Sequence, residues 1–138
     1  MIILDTNVIS ALMRPLPDHH VVAWLDKQAR TSIWTTSITV LEVRFGLQIV
    51  DAGKRRTLLS EAFDTLLDKL GRRVAAFDAD AALQAADLMA SRHKKGRPGD
   101  LRDTMIAGVA LARHAALATR NTAHFIDAGV ALINPWTG

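Results

Sequence analysis

The chain has 138 residues, 49% hydrophobic and 22% charged, with a formal charge of +3 and no cysteine. That balance suits one packed globular domain over residues 1–138, long enough to bury a core without covalent staples. It excludes a disordered chain, a disulfide framework, a thiolate zinc site and a cysteine nucleophile, and no apolar run approaches the ~20 residues of a membrane span.

In chain order, Ile2 to Leu4 reads as a short buried strand, and Asp5-Thr6-Asn7 supplies helix-capping chemistry for a brief helix to Met13, which Pro15 stops. The apolar start runs directly into Asp5, without the basic opening and long apolar stretch of a secretory signal, so a cytoplasmic location is expected. Pro17 and Asp18 open a second helix through Val21, Val22, Trp24 and Leu25. Thr31 to Thr36 is rich in β-branched residues and predicts a strand. Ser37 caps a helix to about Val50, and Lys54 to Leu70 is amphipathic, with Leu59, Phe63, Leu66 and Leu70 on its apolar stripe. Val74 to Phe77 predicts a third strand, and Asp78 caps a helix to about Lys95. After the turn Gly96 to Gly99 come a helix from Leu101 to His114, a strand from Ala116 to Thr119 and a weak strand from Ala131 to Ile133. Alternating strands and helices predict a three-layer α/β fold around a mainly parallel sheet, whose ligands bind beyond the carboxyl ends of the strands.

Asp5 follows the first strand, where that rule directs attention, although an N-cap is an equally ordinary use of Asp. Glu42 lies on a helix whose neighbouring turns carry Ile38, Thr39, Phe45 and Gly46, so it needs a partner from another element, in a site or in a plain salt bridge. Asp103 begins a helix that continues without charge through Ala110, with Asp100 one turn earlier, and the helix dipole favours both. Carboxylates brought together from three elements repel one another and require a cation, and hard oxygen donors in a cysteine-free chain suit Mg²⁺, with Mn²⁺ as a substitute. Most basic residues fall between Lys54 and Arg97, ending in Arg92-His93-Lys94-Lys95-Gly96-Arg97. Such clusters can hold phosphates, although a solvated helix end is their commoner role.

Four blocks together resemble a known family: Met1 to Asn7, Thr36 to Glu42 with Gly46, Asp103 to Ala107, and Ala118 to Phe125 followed by Ile133-Asn134-Pro135-Trp136. In this order and spacing they are similar to PIN-domain ribonucleases, and within them to VapC-type toxins of the FitB-like branch. The resemblance implies a five-stranded parallel sheet flanked by helices, a homodimer, a VapB-type antitoxin partner and Mg²⁺-dependent cleavage of RNA, tRNA or rRNA being the expected class. It places Asp5, Glu42 and Asp103 on acidic metal-site positions, and Asn7 and Thr119 on polar positions beside them. Asn121 would orient water or phosphate, and Arg92, Lys94, Lys95 and Arg97 would hold the RNA backbone. Many members carry a fourth acid in the segment matching Asn121 to Phe125, where this chain has Asn121 and His124. That departure puts a second metal in doubt and keeps open a module that binds RNA or protein without cutting. His124 itself is expected to be packed or surface-exposed rather than catalytic. Part of the apolar excess on helices 18–28, 37–50 and 54–70 would serve an antitoxin groove, with Trp24 and Trp34 as candidates, although core packing is the commoner role.

Two phosphotransfer folds also place an acid after their first strand. Haloacid-dehalogenase-like enzymes need a second Asp where this chain has Asn7, and response-regulator receivers need a late lysine, whereas none follows Lys95.

Overall fold

The computed structural model describes residues 1–138. Its strands are β1 (Ile2–Leu4), β2 (Ile33–Thr36), β3 (Val74–Ala75), β4 (Ala116–Ala118) and β5 (Leu132–Ile133). Between them run α1 (Thr6–Leu12), α2 (His19–Asp26), α3 (Ser37–Ile49), α4 (Lys54–Lys69), α5 (Ala79–Lys94) and α6 (Leu101–Ala112). No helix is long and apolar enough to cross a membrane.

The strands form one sheet in the order β3-β2-β1-β4-β5, and every pair is parallel. From β1 the chain lays β2 and β3 on one side, then returns to lay β4 and β5 on the other. The reversal lies between β1 and β4, and a crevice opens at their carboxyl ends, as in other doubly wound sheets. Asp5 follows β1 and Thr119 follows β4, so the topology alone brings both to that crevice.

Side chains alternate across the sheet, which explains why the strands read as continuous apolar runs: both faces are covered. Leu4 belongs to a core with Val8, Ile9, Trp24, Phe63 and Leu66, contributed by α1, α2 and α4. Its neighbour Ile3 belongs to the other core, with Ile106, Val109, Leu117 and Phe125. Trp24 is 7% exposed within the first core, so it packs the fold rather than lining an outer groove. Trp34 is half-buried and packs against the second.

The expected elements occur in the expected order. The cap of α3, however, is Thr36, whose hydroxyl accepts from the Thr39 amide at 3.1 Å, while Ser37 is the first residue of the helix. Three further local differences appear. The stretch predicted as strand from Thr31 becomes extended only at Ile33, because Arg30–Ser32 wind into a 3-10 turn closed by the Ser32 hydroxyl on the Ala29 carbonyl at 2.6 Å. The strand predicted over Val74 to Phe77 is cut to two residues, and the Phe77 amide donates to the Ser37 hydroxyl at 2.9 Å instead of a strand partner. Thr122–Ala128, given no element above, is a 3-10 helix ended by Gly129 at φ +76.

Candidate active site

The crevice is a cleft of about 420 Å³ lined by Asp5, Glu42 and Asp103 together with Asn7, Asn121 and other polar residues. The three acids come from the end of β1, the middle of α3 and the first turn of α6. Their convergence, which no local pattern could reveal, is therefore a product of the sheet topology.

Asp5 is 3% exposed, and it is both a helix cap and a site residue. One carboxylate oxygen accepts from the Thr6 amide at 2.8 Å, and the other accepts from the Thr119 hydroxyl at 2.8 Å and from the Asn7 amide group at 3.3 Å. Burial pushes its pKa from the ordinary 3.8 up to about 6, against those hydrogen bonds, and the nearby charges of Asp103 and Glu42 push the same way. The expected partner of Glu42 is found on two other elements: the Thr6 hydroxyl donates at 2.9 Å, and the Arg102 guanidinium stands 3.7 Å away. Asp100 is the cap of α6, accepting from the Asp103 amide at 3.0 Å, which leaves the Asp103 side chain for the cleft.

Asn7 and Thr119 do sit beside the acids. The Asn7 side chain donates to the Thr119 hydroxyl at 3.2 Å and accepts from the Arg120 amide at 3.1 Å, fastening the start of α1 to the end of β4. The Thr119 hydroxyl also accepts from the Asn121 amide at 3.0 Å, and the exposed Asn121 side chain lines the cleft.

His124 is exposed, as expected, yet its Nδ1 lies 3.2 Å from the Asp103 carboxylate. A carboxylate oxygen accepts here when that nitrogen carries the proton. As site residues, sequence reasoning also passed over Thr6, Arg14, Asp18, Arg120 and Trp136, which line the same cleft. Arg120 lies over the Trp136 ring, 4.9 Å from its centroid, a cation–π contact between residues whose proximity only the fold creates.

Arg92 requires a correction. It was expected to hold RNA backbone, but it is 3% exposed, and its guanidinium is spent on Asp127, Thr104 and the His124 carbonyl. An Arg so enclosed cannot meet a phosphate from solvent. Lys94, Lys95 and Arg97 are exposed, and Lys95 and Arg97 line a neighbouring cleft of about 450 Å³ that also reaches His124.

The donors suit a hard cation: they are carboxylate oxygens without sulfur, in a cleft where burial, and after it the charges of Asp103 and Glu42, already burden ionised Asp5. The one group of three Asp, Glu or His side chains whose ligand atoms all lie within 4.8 Å of one another is Asp18, His19 and His20 at the start of α2, and Asp18 also lines the cleft. Asp5, Glu42 and Asp103 do not all approach one another that closely.

A PIN-domain family model matches residues 2–130, and the chain belongs to that family. Within it the chain falls in the VapC/FitB branch of toxin–antitoxin ribonucleases, as three relatives indicate. It is 44% identical to the VapC ribonuclease Y4jK of Sinorhizobium fredii, over 99% of this chain and 98% of that one. It is 36% identical to the toxin FitB of Neisseria gonorrhoeae over 99% of each chain, and the crystal structure of FitAcB from that organism superposes with a TM-score of 0.89, covering 99% of each chain. It is 30% identical to the tRNA(fMet)-specific endonuclease VapC of Salmonella typhimurium, over 88% of this chain and 87% of that one.

Proposed function

We propose that this chain is a Mg²⁺-dependent endoribonuclease, the toxin of a toxin–antitoxin pair. The observation that carries the reading is the meeting of Asp5, Glu42 and Asp103, from three elements, in one cleft at the topological switch point. Asp5, Glu42 and Asp103 would hold the cation, with Mn²⁺ able to replace Mg²⁺, and the bound ion would supply charge neutralisation at phosphate and a water of lowered pKa.

The chain's own groups do the rest. Thr119, Asn7 and the Thr6 amide fix the rotamer of Asp5. Asp103 or Glu42 accepts the proton of the attacking water, being less enclosed than Asp5. Asn121 orients water or a phosphate oxygen at the cleft wall. Arg14 and Arg120, both exposed on that wall, draw the RNA backbone toward acids that would otherwise repel it. Lys94, Lys95 and Arg97 extend this basic track past His124. A structured RNA such as tRNA is the proposed substrate, supported by the name of the Salmonella relative.

The partners are an antitoxin and a second copy of the chain. Leu41, Phe45 and Ile49 stand one helical turn apart on α3 and are all more than half exposed, with Leu58 of α4 also exposed. A row of this kind suits docking of an apolar helix face, and we assign it to the antitoxin.

Purified protein incubated with total tRNA and Mg²⁺ tests the activity. Wild type is expected to give discrete fragments, lost in EDTA and lost in Asp5→Asn, whose circular dichroism stays that of the wild type. Equal cutting by wild type and variant, or cutting that persists in EDTA, overturns the reading. RNA retention without fragments in either Mg²⁺ or Mn²⁺ would mark a binding module instead.

A further inference from the structure

We infer that Arg92 is a positioning residue for the Asp103 side of the cleft, an inference that rests on the reading of Asp5, Glu42 and Asp103 as cation ligands. Arg92 sits in the last turn of α5 and is among the few charged residues withdrawn from solvent. Its Nε and one Nη form a fork on the Asp127 carboxylate at 3.0 and 2.9 Å. The other Nη donates to the Thr104 hydroxyl at 2.8 Å, and the fork also reaches the His124 carbonyl at 2.8 Å.

These partners flank Asp103. Thr104 is its neighbour on α6, and the Thr104 hydroxyl donates in turn to the carbonyl of the capping residue Asp100 at 2.8 Å. His124 meets the Asp103 carboxylate through its ring, at 3.2 Å. One guanidinium therefore sets both the start of the helix that carries Asp103 and the segment whose imidazole holds its carboxylate. A small recess of about 200 Å³ lined by Arg92, Gly99, Asp100, Asp103 and His124 joins these groups. Gly99 keeps space for the clamp, since a Cβ there would come within 2.9 Å of the Arg92 guanidinium.

Between a buried guanidinium and a carboxylate that still meets solvent, the ion pair adds little net stability, whereas its fork geometry fixes orientation. Orientation is what a ligand carboxylate needs, and hydrogen-bonded groups behind metal ligands typically alter affinity about 10- to 100-fold when removed. Lysine keeps the charge but lacks the fork.

Mn²⁺ binding followed by electron paramagnetic resonance on wild type, Arg92→Lys and Thr104→Val, with thermal melts and RNA cleavage at varied Mn²⁺, tests the assignment. Weaker Mn²⁺ binding by roughly tenfold in Arg92→Lys, with cleavage largely recovered at high Mn²⁺ and unchanged KM for RNA, is the expected result. Thr104→Val weakens binding in the same direction, and decides the matter alone if Arg92→Lys does not fold. Wild-type Mn²⁺ affinity in the folded variants, whatever their melting temperatures, overturns the positioning role and leaves the cation reading intact. Absence of Mn²⁺ binding to wild type overturns both.

Discussion

Asp5 accepts hydrogen bonds from Thr6 and Thr119 at 2.8 Å each while only 3% exposed, and burial still raises its pKa to about 6. A folded pKa above the ordinary 3.8 means that the stability linked to its protonation is full below pH 3.8 and is lost as pH rises through about 6. Without a cation, ionised Asp5 thus burdens the fold at neutral pH, by on the order of 3 kcal/mol at most. In EDTA, the stability of wild type relative to Asp5→Asn should fall as pH rises from about 3.8 to about 6 and level off above that. A difference constant with pH in denaturant titrations would contradict the shift. Mg²⁺ or Mn²⁺ at pH 8 should raise the melting temperature of wild type and leave Asp5→Asn unmoved. Thr119→Val removes a buried donor to the same carboxylate. It should cost about 1 kcal/mol of stability and move the Asp5 titration further upward, read from the pH dependence of Mn²⁺ binding. At this scale the sequence was informative about residue type and silent about partners. Thr6, His124 and Arg120 touch the site groups through contacts that no spacing encodes.

The helices α5 and α6 meet at Gly108, where a Cβ would stand 2.6 Å from the Ala81 carbonyl and 2.8 Å from the Ala85 Cβ. Alanine has the higher helix propensity by about 1 kcal/mol, but backbone contact this close forces the helices apart. Gly108→Ala should therefore be destabilising by about 1–3 kcal/mol in urea unfolding, and a gain in stability would show that the helices separate freely. The Arg92–Asp127 fork ties α5 to the 3-10 segment and holds the Asp127 carboxyl below the ordinary 3.8. Its contribution is present above pH 3.8 and is lost as pH falls through the lowered value. Element types and order were legible because apolar period, caps and breakers are local signals. The 3-10 helix at Thr122–Ala128 was not, because this seven-residue segment lacks a regular period and takes its shape from Phe125 in the core and from Arg92.

Across the whole molecule, charge is sorted by place rather than by total. Asp5, Asp18, Glu42 and Asp103 line the cleft at the switch point while Arg14 and Arg120 face it, inside a chain whose net charge is only +3. Lys54-Arg55-Arg56 and Arg72-Arg73 take no part in that cleft; Arg72 pairs with Asp68 at 2.9 Å, and Arg73 donates to the Ile33 carbonyl at 3.1 Å. The apolar row on α3 belongs to this scale as well, since its side chains are exposed and form part of neither core. Phe45→Glu should leave unfolding free energy within about 0.5 kcal/mol of wild type while weakening capture of the antitoxin at least tenfold in calorimetry. Undiminished binding would place the antitoxin elsewhere.

The amino-acid order by itself determined the alternation of strands and helices, the parallel sheet and the identity of the three acids. The alternation follows from local periodicity, the rule that sites open beyond parallel strands singled out Asp5, and the resemblance to PIN domains joined Glu42 and Asp103 to it as metal-site candidates. Only the tertiary structure decided that the acids share one cleft, that His124 bonds to Asp103 and that Arg92 is a buried clamp rather than an RNA contact. The physical reason is that a charged side chain takes its role from its solvation and its partners. Asp103 and His124 are 21 positions apart, and Arg92 and Asp127 are 35 apart. Contacts at such separations are set by the packing of α5, α6 and the sheet, whereas a basic cluster reads the same in sequence whether it faces water or the core.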